Sequence, residues 1–182
     1  MLSDKENISE TRFSLKKAKK YTSWDSFKRW IPSIIILPIA TYWSLNRGEF
    51  GLLDNIDLVI HEAGHLFFSL FGKFIYTLGG TLMQIILPSL IASYFFRNEY
   101  RTGVQFGLLW LGQNFINISV YAADAQARKL PLLGGNKVYH DWHYLLSTLG
   151  ILEYDYLVGI IFWGIAILMF AVVVFMPLFT HD

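Results

Sequence analysis

The chain contains no cysteine. Disulfides, thiolate metal sites and a cysteine nucleophile are therefore excluded. It also lacks any surplus of charge. Fifteen lysines and arginines (Lys+Arg 15) stand against Asp+Glu 14, a formal net charge of +1. No basic field is present of the kind that nucleic acid selects, so no nucleic-acid partner is expected. Charge of either sign is scarce, at 16% of residues, where soluble globular chains carry about 25%. Apolar residues fill the gap: 54% of the chain is hydrophobic and 17% aromatic. The 182 residues suit one compact domain. Together with long apolar runs, they predict an all-α integral membrane protein with lipid as its surroundings.

Residues 1–29 differ from the rest. They carry Lys5, Arg12, Lys16, Lys17, Lys19, Lys20, Lys28 and Arg29, are too polar for a signal peptide and show no small-residue cleavage site. They read as a basic cytoplasmic tail, either solvated or lying on anionic lipid, ahead of a membrane-embedded domain over 30–182. Five apolar segments there approach the length that crosses about 30 Å of hydrocarbon: 30–45, 50–71, 74–96, 103–123 and 156–179. Pro32 and Pro38 predict a bend in the first, and Gly79, Gly80 and Pro88 interrupt the third. Residues 124–155 form a polar connection in which Asp141 could cap a short helix. With the N-terminus inside, twelve lysines and arginines fall on the cytoplasmic side, against Arg47, Arg97 and Arg101 outside. That asymmetry predicts a multi-pass protein with a cytoplasmic N-terminus.

Within the second segment, "LVIHEAGHLFF" (58–68) places His61, Glu62 and His65 in an apolar run. Ionisable groups at bilayer depth are costly and point to function. On a helix, residues four apart share a face. His61 and His65 can therefore offer two ring nitrogens to one zinc ion, with Glu62 beside them as general base. The alternative is that the histidines bond neighbouring helices and serve packing alone.

A hydrolytic zinc site takes three protein ligands and leaves one position for water. The fourth segment offers Gln113, Asn114, Asn117, Tyr121 and Asp124 on one helical face. Asp124 stands either as the third ligand or as an ordinary interfacial carboxylate. Asn117 and Asn114 are candidates for holding substrate or an oxyanion, or for bonding between helices.

The succession "HEAGH" at 61–65, "LGGTLMQ" at 78–84, Asn117 and Asp124 resembles that of the site-2 protease family of intramembrane zinc metalloproteases, as a divergent relative. The resemblance covers roughly residues 50–125. It implies zinc as the cofactor, Asp124 as the residue completing the metal site after His61 and His65, and a membrane-embedded peptide as substrate. The family's N-x-x-P-x-x-x-L-D-G stands here as "NISVYAADA", without the proline and with Ala125 in place of glycine. A rival third ligand therefore enters from "YHDWHYLL": His140 or Asp141 in the connection, where residues 130–135 are apolar and glycine-bearing enough to dip toward the site. Asp54 and Asp57 share the motif's helical face. Both could cap the helix, or Asp57 could orient His61.

The expected activity is peptide hydrolysis at the membrane by a zinc-activated water, with Glu62 as base. The alternatives are a zinc hydrolase of lipid amides or esters and a non-enzymatic membrane scaffold. Oligomeric state is left open.

Overall fold

The computed structural model describes residues 23–130 and 140–180, and the statements below concern these. They belong to two compact units, Met1–Ile31 and Pro32–Asp182. The described part of the first is the start of helix α1 (Ser23–Leu45), where the rings of Trp24 and Phe27 stack 5.6 Å apart. The rest of the expected basic tail lies outside the described residues, as does the glycine-bearing stretch 131–139.

The second unit is helical, with no strand among its described residues. It contains the remainder of α1, α2 (Leu52–Phe67), α3 (Gly72–Arg97), α4 (Arg101–Ala123), α5 (Asp141–Thr148) and α6 (Asp155–Phe175). Single 3₁₀ turns at Ser69–Phe71, Leu152–Tyr154 and Met176–Leu178 flank α3 and α6. The all-α class thus stands. α2 begins where Gly51 donates its N–H to Asp54 three residues on, satisfying a group that the helix itself cannot. The reversal into α3 falls at Gly72, with φ +83, a conformation that disfavours other residues. α3 continues as a helix through Gly79, Gly80 and Pro88 rather than breaking there.

Two segments, Ser69–Arg97 and Leu152–Leu178, are long and apolar enough to cross a membrane. α2 has 16 residues, a rise of about 24 Å, short of the roughly 30 Å of a hydrocarbon core. α4 is 23 residues long, but Gln105, Gln113, Asn114 and Asn117 dilute its apolar character.

The helices pack in sequence, α2 on α3, α3 on α4 and α4 on α6, with α5 against α3 and α4. Glycines permit the close approaches. A Cβ on Gly79 would stand 2.8 Å from the Gly64 carbonyl oxygen, and one on Gly159 would stand 2.6 Å from that of Ser119. Small residues at such crossings let backbones meet. The apolar core lies between α4, α5 and α6, and includes Leu111, Phe115, Ile118, Leu145, Leu146, Phe170 and Val173. Gln105, fully buried, ties three helices. Its Nε2 donates to Ser33 Oγ on α1 at 3.0 Å and to the Val173 carbonyl on α6 at 2.9 Å.

Because α3 returns between them, α2 and α4 run in the same direction. A polar ladder joins them. Gln113 Nε2 donates to Asp54 at 2.7 Å, and Trp110 Nε1 donates to Asp57 at 2.7 Å. Asn114 and Asn117 reach the same Asp57 carboxylate at 3.3 and 3.5 Å. Asp57 is wholly buried, and a carboxylate is stable there only when donors surround it.

Candidate metal centre

The helical period brings His61 and His65 to one face of α2, their ring centroids 4.8 Å apart and nearly perpendicular. Both are buried. Each ring is held from α3 through its Nδ1. His65 Nδ1 lies 2.8 Å from the backbone carbonyl oxygen of Tyr76. A carbonyl only accepts, so Nδ1 carries the proton and Nε2 keeps its lone pair. His61 Nδ1 lies 2.9 Å from Gln84 Oε1 in the same arrangement.

The two free Nε2 atoms face one oxygen. Asp141 Oδ2 is 2.9 Å from His61 Nε2 and 3.2 Å from His65 Nε2. Asp141 is the first residue of α5, and the position of α5 is set by Trp142, Leu145 and Leu146, all buried in the core. The aspartate therefore comes from the connection between α4 and α6 rather than from the end of α4.

Two ring lone pairs and a carboxylate oxygen repel unless a proton or a metal cation sits among them. The three candidate ligand atoms lie within 4.8 Å of one another. A tetrahedral zinc with bonds of about 2.0–2.2 Å sets its ligand atoms roughly 3.3–3.5 Å apart; the separations from Asp141 are somewhat shorter and the widest separation is longer, so the side chains would shift by some tenths of an ångström or more to close on a metal. Imidazole nitrogens and a carboxylate are also zinc's ordinary donors, and hydrogen-bonded Nδ1 groups are the usual support of ligating histidines. The residues fit the metal.

The structure does not bring Asp124 into this group. It follows the last residue of α4, which stays helical through Tyr121. Its carboxylate turns into the next loop, accepting from the backbone N–H of Lys129 at 3.0 Å and of Leu130 at 2.8 Å. Backbone N–H groups of the loop that follows the helix draw such a carboxylate locally. His140, the rival from the connection, also stands aside. Its Nδ1 accepts from the His143 N–H as the cap of α5, and its Nε2 faces Asp124 at 3.4 Å. Asp141 is thus the first residue of α5, with His140 in the capping position. Burial chiefly lowers the His140 pKa, against the pull of Asp124. Asn114 and Asn117 have their amide nitrogens on Asp57, not at the histidines. Asp57 bonds to α4 and not to His61.

Glu62 is exposed on α2, beside the two histidines in sequence. Among the described residues it makes no hydrogen bond or ion pair. Tyr121, on the polar face of α4, places its ring 6.0 Å from that of His61 and its hydroxyl beside Asp141.

Sequence reasoning missed Gln84 and the Tyr76 carbonyl. Gln84 carried a signal, a lone amide in the middle of an apolar segment. A backbone carbonyl carries none.

The fit between α2 and α3 gives a direct prediction. A Cβ added at Gly80 would run into the His61 ring. Gly80→Ala should displace that ring and weaken metal binding at least about 10-fold. Gly164→Ala, with nothing within 4 Å of the new methyl, should change nothing. Zinc competition titrations of the two variants would measure this; equal affinities would refute it.

The chain is therefore an all-α protein with a buried two-histidine, one-carboxylate cluster. Comparison with protein-family models, curated proteins and solved structures returns no match.

Proposed function

We propose that this chain is an integral membrane zinc hydrolase of the metalloprotease kind, acting on a peptide bond at the membrane. The observation that supports it best is the convergence of the two imidazole Nε2 atoms on one carboxylate oxygen. A scaffold would need the histidines only for bonding to neighbouring helices. Their Nδ1 atoms already do that toward α3, which leaves both Nε2 atoms for Asp141 and the cation, proton or metal, that joins them.

His61, His65 and Asp141 would hold the zinc, which would supply a Lewis acid able to make a water nucleophilic near neutral pH and to polarise a carbonyl. Glu62, next to His61 in sequence and exposed, would take a proton from the attacking water and pass it to the leaving amine. Gln84 and the Tyr76 carbonyl hold the two rings in the tautomer that ligation requires. Purified protein should contain about one zinc per chain, and His65→Ala should empty it. Metal analysis giving the same zinc content in wild type and variant would sink the reading.

The membrane setting we infer has five helices in the bilayer and a cytoplasmic N-terminus. Leu70, Leu52 and Phe96 are 92%, 81% and 72% exposed, and apolar side chains are exposed on every long helix. Such surfaces are unfavourable in water. The lysine and arginine asymmetry places the cluster toward the cytoplasmic end of α2, where Lys73 follows. Single cysteines in place of Glu10, Asn98 and Gly135 of this cysteine-free chain should label from inside, outside and inside respectively. Any other pattern would reverse or redraw the topology.

A further inference from the structure

Each histidine of the cluster has an outer partner on α3, and the aspartate has one too, on a different helix. The Asp141 backbone N–H donates to the Tyr121 hydroxyl oxygen at 3.1 Å, and that hydroxyl lies 3.4 Å from Asp141 Oδ2, the oxygen that faces both histidines. The Tyr121 ring is wedged between His140, 4.5 Å away, and His61, 6.0 Å away. With its oxygen taking the Asp141 N–H, the hydroxyl proton is free to turn toward Oδ2.

We propose that Tyr121 is the positioning residue of the third ligand: it fixes Asp141 at both its backbone and its carboxylate, setting which oxygen meets the metal. This rests on the metal-site reading above and goes beyond it. The reason is mechanical. His61 and His65 lie on one rigid helix, but Asp141 arrives on a separate eight-residue helix and needs its own tie to the bundle. Apolar packing of Trp142, Leu145 and Leu146 sets the depth of α5 but does not choose a carboxylate rotamer. Hydrogen bonding to a ligating carboxylate does so, and also tempers its basicity.

The test is Tyr121→Phe, which keeps the ring and removes the hydroxyl. Tyr144→Phe is the control, a phenol one turn along α5 with no hydrogen bond to the cluster among the described residues. The probes are zinc alone, by chelator competition, and cobalt(II) alone, by its visible absorption. Tyr121→Phe should weaken zinc binding about 10- to 100-fold and shift the cobalt spectrum, while Tyr144→Phe matches wild type in both. Unchanged zinc affinity with an unchanged spectrum would overturn the role. So would weaker affinity with an unchanged spectrum, since the hydroxyl would then act on the fold and not on the ligand. If Tyr121→Phe does not fold, Tyr121→Trp, which restores a ring and a donor, must bind zinc more tightly than Tyr121→Leu for the role to survive. Failure of wild type to bind either metal would instead remove the metal-site reading itself.

Discussion

Asp141→Ala should lose zinc, weakening its binding by more than about 100-fold, while Asp124→Ala should keep it within about threefold. The contrast follows from where the two carboxylates point. Asp141 offers Oδ2 to both ring nitrogens from a helix already fixed in the core. Asp124 spends its oxygens on the N–H groups of Lys129 and Leu130. Removing Asp124 loosens the turn after α4 and costs stability, at about 0.5–1.5 kcal/mol for each lost bond, but leaves three ligand atoms in place. Removing Asp141 leaves two, and two imidazoles hold zinc poorly at neutral pH. Competition with a coloured chelator in detergent micelles would read both constants. The reverse order, with Asp124 essential and Asp141 dispensable, would mean that α4 unwinds and replaces α5 at the metal.

Glu62→Gln should retain one zinc per chain and lose hydrolysis by about 10²- to 10⁴-fold, the usual contribution of a positioned general base. The amide keeps the size of the side chain and one accepting oxygen, but it cannot take a proton from water. Because Glu62 is exposed and has no partner among the described residues, the substitution breaks no bond of the fold, and its effect should fall on turnover rather than on melting temperature. The measurement is the rate on any membrane-inserted peptide that wild type cleaves, paired with zinc content. Turnover near the wild-type rate would take Glu62 out of the chemistry. A parallel loss of zinc would mean that the side chain serves the metal instead.

The helices were legible from the sequence because apolar runs must be buried in protein or lipid, and a helix satisfies its own backbone wherever it lies. The histidine pair was legible because four-residue spacing needs nothing beyond α2 itself. The choice among Asp124, His140 and Asp141 as the residue that joins them was not, although all three were candidates. Asp124 continues the polar face of α4, and the order of motifs favours it, yet a carboxylate just past a helix end meets the backbone N–H groups of its own following loop before it meets a distant metal. Which residue of the connection docks depends on where Trp142, Leu145 and Leu146 find their cavity, a tertiary fact that spacing does not carry. The amides of α4 follow the same logic. That Asn114 and Asn117 need partners could be read from their apolar setting. That the partner is Asp57, four residues short of His61, required the parallel course of α2 and α4.

His61 and Asp141 are 80 residues apart in the chain. A metal shared between them would tie α2 to α5 and close a loop of that length. In a chain without cysteine, it would act as the staple that a disulfide provides elsewhere. For a loop this long, chain entropy alone gives such a cross-link about 4.5 kcal/mol as an upper bound, less wherever the bilayer already confines the unlinked helices. The same three side chains would then serve the tertiary fold as well as the reaction, and stripping the metal would loosen α5 from α2 before it disturbed any helix.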